Sequence, residues 1–159
     1  MKIDISLKNM NEFINKFNSS ELNAELGEYI FNKARIYKIT RRKGLRLNIT
    51  IDFEVNEQQK NTMIDIIRGY YGNLIKLELI YLKTSYIKSA ILFLIGIVLL
   101  VLSQVTEIVT SFLLPEIFVI MGWLAIWEMA YNVLFYDSKH RINIKLLKKL
   151  TKCYIEINS

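Results

Sequence analysis

Residues 89–105 read SAILFLIGIVLLVLSQV and residues 117–136 read IFVIMGWLAIWEMAYNVLFY. The first run carries no charge and the second carries one, Glu128. A helix rises about 1.5 Å per residue, so about 20 residues cross a hydrocarbon core of roughly 30 Å. The second run has that length. The first reaches it when taken as 87–106, with Lys88 snorkelling toward the interface. A chain this small rarely hides two helices that are apolar all round in a soluble core. The pair therefore predicts a transmembrane hairpin, spans 87–106 and 117–136.

The charges around the hairpin set its expected orientation. Lys and Arg number 15 in residues 1–88, none in 89–136 and 6 in 137–159. The connector 107–116, EIVTSFLLPE, holds two Glu and no cation. Loops rich in Lys and Arg resist translocation. Both termini are thus expected on the cytoplasmic side of the inner cell membrane, with 107–116 outside. The start, MKIDISLK, has no apolar run of the kind a cleaved signal peptide carries.

Composition narrows the function classes. The 159 residues are 52% hydrophobic and 23% charged, with net charge +6 and a mean hydropathy of +0.24. A single Cys excludes an internal disulfide framework and a Cys-based zinc cluster. One histidine, His140, excludes a multi-histidine metal site within one chain. No phosphate-binding loop, dinucleotide fingerprint, nucleophile elbow, HExxH or CxxC occurs. No enzyme activity, cofactor or metal is expected.

Outside the hairpin, residues 1–8 alternate strictly, with Met1, Ile3, Ile5 and Leu7 apolar. Residues 45–54 do the same through Leu45, Leu47, Ile49, Ile51 and Phe53, and the tail repeats it with Cys153, Ile155 and Ile157. Period-two alternation predicts half-buried strands. Asn9 with Glu12 reads as a capping box opening a short helix whose Met10, Phe13, Ile14 and Phe17 share a face. Ser19 or Ser20 is expected to cap a second helix reaching about Tyr37, with Leu22, Leu26, Tyr29 and Ile30 inward. Asn56 caps a third, whose Met63, Ile67, Tyr70, Leu74, Leu77 and Tyr81 form a heptad seam. No proline separates that helix from the first span, so one stalk of about 50 residues is expected, with Gly69 and Gly72 as places to bend.

The expected fold is an α+β membrane protein: a two-helix hairpin inserted into a small cytoplasmic domain with a three-stranded sheet and amphipathic helices. The expected divisions are 1–86, a cytoplasmic domain with its stalk; 87–136, the hairpin; and 137–159, a helix and strand returning to the sheet.

Glu128 carries the sharpest chemical signal, because a charge inside a span is costly unless neutralised or paired. Asn132 follows at i+4, and Trp123 and Trp127 lie nearby in sequence. Three readings stay open: a proton, ion or polar-ligand site; a hydrogen-bonded contact that holds an assembly together; or a carboxylate reaching the cytoplasmic headgroups. Lys88, Lys139, Arg141, Lys145, Lys148 and Lys149 are candidate lipid-headgroup contacts. Arg41-Arg42-Lys43 is a further basic cluster, read as topology more than as a nucleic-acid site, and nucleic acid is not an expected partner. Tyr70-Tyr71 is read as packing, and Cys153 as a core residue on its strand.

The run IIRGYYGNLIKLELIYLKTSYIKSAILFLIGIVLLVLS and the segment GWLAIWEMAYNVLFYD resemble a widespread prokaryotic family of small two-span membrane proteins. The matching positions are Gly122, Trp123, Trp127, Tyr136 and Asp137, with Arg68 and Tyr70 upstream. The tail Ser138-Lys139-His140 departs from the family pattern of aromatics and proline. The resemblance implies the two-span architecture and no particular activity. The functional expectation is a non-enzymatic membrane protein whose cytoplasmic domain senses or docks a ligand or protein, on a hairpin that forms homo-oligomers among membrane lipids. The alternatives are an ion-conducting or membrane-disrupting effector, and a membrane-embedded enzyme using Glu128 as acid or base.

Overall fold

The computed structural model describes residues 2–38, 45–109 and 113–158, with backbone alone for 37–38 and 106–109. In chain order the elements are β1 (Lys2–Leu7), α1 (Met10–Phe13), α2 (Ala24–Lys38), β2 (Arg46–Ile51), α3 (Glu57–Val109), α4 (Leu113–Tyr131), a π-helical turn (Asn132–Tyr136), α5 (Asp137–Thr151) and β3 (Tyr154–Asn158). The chain divides into two compact units, Met1–Leu77 with Asn143–Ser159, and Glu78–Ile142.

The first unit is α+β. Its three strands lie in the order β1-β2-β3 and are parallel throughout, with Ile3 opposite Leu47 and Leu47 opposite Ile155. Parallel neighbours need a crossover. The α1–α2 segment supplies one, and everything from α3 to α5 supplies the other. The strand that closes the chain therefore returns to the sheet opened by the first two, as the alternation predicts.

Ile3, Ile5, Leu7, Leu47, Ile49, Ile51, Ile155 and Ile157 are all buried on one sheet face. Burying such a side chain contributes about 1.5–3 kcal/mol. Phe13, Ile30, Met63, Ile67, Leu147 and Leu150 complete that core from the helices. The other face is polar. At its centre Asn48, 8% exposed, donates to Asp4 Oδ1 at 3.0 Å and accepts from Asn158 Nδ2 at 2.8 Å. One amide thus ties three strands together.

Asn56 and Gln59 form a reciprocal capping box, backbone N–H of each to side-chain oxygen of the other, at 2.8 and 2.9 Å. From there α3 runs unbroken through Gly69 and Gly72. Its expected heptad seam holds only at Met63 and Ile67. Tyr70 and Leu74 are half-buried, and Leu77 and Tyr81 are exposed. Tyr71 takes the core position instead, because the buried path steps i+4 from Met63 to Ile67 to Tyr71. Met63, Ile67 and Tyr71 thereby join the same buried cluster as the strand residues.

The helices near the N-terminus differ from expectation for one reason. Asn15 accepts the N–H of Phe17, and Asn18 accepts the N–H of Ser20. These local side-chain bonds compete with helix formation, so α1 stops at Phe13 and Phe17 is left 97% exposed. Asn9 makes no side-chain cap; the Glu12 carboxylate takes the N–H of Lys8 instead. The second helix is capped by Asn23, not by Ser19 or Ser20, and Tyr29 faces outward at 47% exposure.

Two helices, Glu57–Val105 and Leu113–Thr151, are long and apolar enough to cross a membrane by length and composition. Helix reaches into the expected connector 107–116 from both sides. α3 extends to Val109 and α4 begins at Leu113, with Pro115 in its first turn, where its missing N–H costs no hydrogen bond.

Candidate functional site

The inner face of the helical pair carries small residues, Ser89, Gly96, Ser103 and Gly122, within a seven-residue repeat. On α3, Leu82, Ser89, Gly96 and Ser103 are buried at seven-residue intervals, and on α4 Pro115 and Gly122 repeat the interval. A Cβ added to Gly96 would stand 3.1 Å from the carbonyl oxygen of Gly122, and one added to Gly122 would stand 3.1 Å from that of Gly96. The backbones touch because neither residue has a side chain. This seam went unread in the sequence, although the Ser89-Gly96-Ser103 spacing carries it.

With the seam filled internally, the polar pair lies elsewhere. Glu128 is exposed, and Asn132 Nδ2 donates to Glu128 Oε1 at 3.3 Å. The i+4 relation thus holds, on the outer flank of α4. Leu124 shares that flank at 62% exposure. Trp127 (69% exposed) is adjacent, whereas Trp123 (56%) lies five residues before Glu128 and so about 140° away around the helix. The four candidate residues do not converge on one cavity. What the structure brings together is one carboxylate and one amide on an otherwise apolar surface.

Asn132 has a second duty. Its carbonyl accepts the N–H of Asp137, five residues on, closing the π-turn. Such turns add one residue to a helix and are frequent at functional sites. The extra residue turns Asp137 inward. Asp137 is fully buried, and neither carboxylate oxygen has a hydrogen-bond partner among the described residues.

One turn beyond Asp137, His140 Nδ1 pairs with Glu78 Oε2 of α3, both side chains mostly buried. The rings of Tyr136 and Tyr81 stand 4.7 and 6.0 Å from the His140 ring. Arg141 donates to the Tyr86 hydroxyl. Asp137 entered the sequence reading only through the family resemblance, and the Glu78–His140 pair not at all. A separation of 62 residues gives no local signal for it.

Lys88, Lys139, Arg141, Lys145, Lys148 and Lys149 are all exposed. Arg41-Arg42-Lys43 lies outside the described residues. In the first unit, Tyr71 is fully buried and donates to the Gly27 carbonyl at 3.0 Å. Tyr70 meets it edge-on, with ring centroids 5.3 Å apart. Cys153 is buried, and burial pushes its thiol pKa up, which makes it a poor nucleophile. Among the described residues, no group of three or more His, Cys, Asp or Glu converges as metal ligands would.

No family model matches the chain, and neither a curated protein nor a solved structure matches it.

Proposed function

We propose that the chain is a non-enzymatic protein of the inner cell membrane, with both termini cytoplasmic, whose helical hairpin assembles into homo-oligomers and whose α+β unit docks a ligand. One observation carries the assembly: Glu128 and Asn132 bond to each other on the outer flank of an apolar helix, while the inner flank is closed by Gly96 and Gly122. Lipid tails offer such a pair no hydrogen bond, and a second copy of the same edge does. The length and apolarity of the two helices support membrane insertion, and the distribution of Lys and Arg supports the orientation.

Cross-linking in isolated membranes tests this reading. Leu124→Cys lies on the Glu128 flank and should yield disulfide-linked pairs on mild oxidation. Trp123→Cys, on the far flank, should not. Buried Cys153 supplies no competing thiol. Equal cross-linking of both variants, or of neither, would defeat the proposed edge.

A second reading, an ion-conducting effector, draws on the fully buried, unpartnered carboxylate of Asp137 beside the π-turn. Depolarisation on overexpression, abolished by Asp137→Asn with the oligomer intact, would favour it over a purely structural assembly.

A further inference from the structure

In the first unit, a groove of ≈ 460 Å³ lies between the segment 20–22 and α3. That volume is within the range of about 300–1,000 Å³ usual for small-molecule sites. Its charged lining residues are Glu21 and Asp65, and among the described residues no Lys or Arg lines it. This inverts the sign of a chain whose net charge is +6. Ile66 and Leu74 give the groove an apolar wall, and Tyr70 gives it a ring and a hydroxyl.

Two features keep the groove open. The Tyr70 ring is braced against α2, since a Cβ on Gly27 would stand 2.4 Å from it, and against the edge of Tyr71. Burial, and then the charge of Glu28, raise the phenol pKa, so near neutral pH Tyr70 is an uncharged hydrogen-bonding group. Gly69 forms part of the floor, and a Cβ there would meet nothing within 4 Å. Glycine inside a helix is less stable than alanine, and no neighbouring atom requires it at this position.

Granted the docking role proposed above for this unit, we infer that the groove binds a small primary alkylammonium. Its ammonium sits between Asp65 and Glu21, and its aliphatic stem lies along Ile66 and Leu74 beside the Tyr70 ring. An anion would face two carboxylates. A wholly apolar ligand would strip water from the Asp65 carboxylate and return no hydrogen bond, while Glu21 would keep only its bond from Asn15 Nδ2 at 3.3 Å. An ammonium gains charge-assisted hydrogen bonds from them and attraction to the ring face.

The test is calorimetry on the full chain in neutral detergent micelles, with 1,5-diaminopentane as probe. Saturable binding is expected, with no binding of 1,5-pentanediol and no competition by magnesium chloride. Asp65→Asn should weaken the diamine about tenfold or more by removing a charged hydrogen-bond partner. Gly69→Met adds a side chain at the floor, where its Cβ would meet no atom within 4 Å, and should weaken binding at least as much while thermal stability holds or rises. The inference fails if the wild type does not bind, if magnesium competes, or if both variants bind like wild type. Oligomer mass, read on the same samples by light scattering, reports separately on the hairpin. Diamine binding with a strict monomer would overturn the assembly and keep the groove; a stable oligomer without diamine binding would do the reverse.

Discussion

Gly96 of α3 and Gly122 of α4 lie in backbone contact, each positioned so that a Cβ would stand 3.1 Å from the other's carbonyl oxygen. The added carbon would also meet Ile126 at 2.8 Å from the Gly96 side and Leu100 at 2.9 Å from the Gly122 side. Neither helix can accept a larger residue there without separating. Gly96→Val and Gly122→Val should each cost about 1–3 kcal/mol, as overpacked sites do. Resistance to unfolding in mixed micelles measures it. Wild-type resistance in either variant would mean that the helices are not in contact at this pair.

A second close approach holds the first unit. Gly27→Ala places a methyl group 2.4 Å from the Tyr70 ring and should destabilise the unit by about 1–3 kcal/mol. Tyr71→Phe leaves the packing and removes only the hydrogen bond to the Gly27 carbonyl. It should cost less, about 0.5–1.5 kcal/mol, or somewhat more because the carbonyl is left unpaired. Urea unfolding of the two variants ranks them, and a reversed order would contradict this account of the contact.

Asp137 is buried with no hydrogen-bond partner among the described residues, an arrangement that costs about 1–3 kcal/mol or more. Asp137→Leu should therefore raise the midpoint of thermal unfolding, at the expense of whatever the carboxylate does. A fall in the midpoint would show that a ligand or a neighbouring copy engages Asp137 in the working protein.

Asp4 links the sheet to pH. The hydrogen bond from Asn48, and then the bond and charge of Lys2, hold its carboxyl below the ordinary value of 3.8. A carboxyl depressed in the folded state lends stability that is complete above its unfolded value and lost as pH falls through the folded one. Asn48→Ala should thus flatten the acid side of the stability profile below about pH 4 and leave its pH dependence above about pH 5 unchanged. An unaltered acid limb would remove this role from the Asp4–Asn48–Asn158 ladder.

What the sequence made legible follows from local pattern. The alternation at Ile3-Ile5-Leu7, Leu47-Ile49-Ile51 and Ile155-Ile157 marks three strands and their buried face, because the side-chain period of a strand is two. Asn56 with Gln59 marks the start of α3, because both capping bonds lie within one turn. What stayed hidden depends on partners far away in the chain. The exchange of Tyr70 for Tyr71 in the core involves the Gly27 carbonyl, 44 residues away, which the buried Tyr71 hydroxyl reaches. Asp137 is inward only because a π-turn shifts the helix face by one residue, and no residue in Asn132–Tyr136 announces such a turn. The Gly96–Gly122 contact needs both helices in place before either glycine has meaning. Glu128 and Asn132 were legible as a pair because four residues make one turn, but the flank they occupy was set by that seam.

The mass of the full chain in neutral detergent, followed by light scattering over a wide dilution range, tests the proposed assembly most directly. Each copy contributes one Glu128–Asn132 edge, and a polar contact between apolar helices is typically worth about 0.6 kcal/mol, reaching roughly 1–2 kcal/mol. Repeated around a closed ring, such contacts bias the protein toward a defined oligomer. Wild type and Glu128→Gln, which keeps the size and the hydrogen bonding, should share that oligomer, and Glu128→Leu should shift toward monomer at concentrations where the wild type stays assembled. A strict monomer at every concentration, or an oligomer of Glu128→Leu as stable as wild type, would contradict the account.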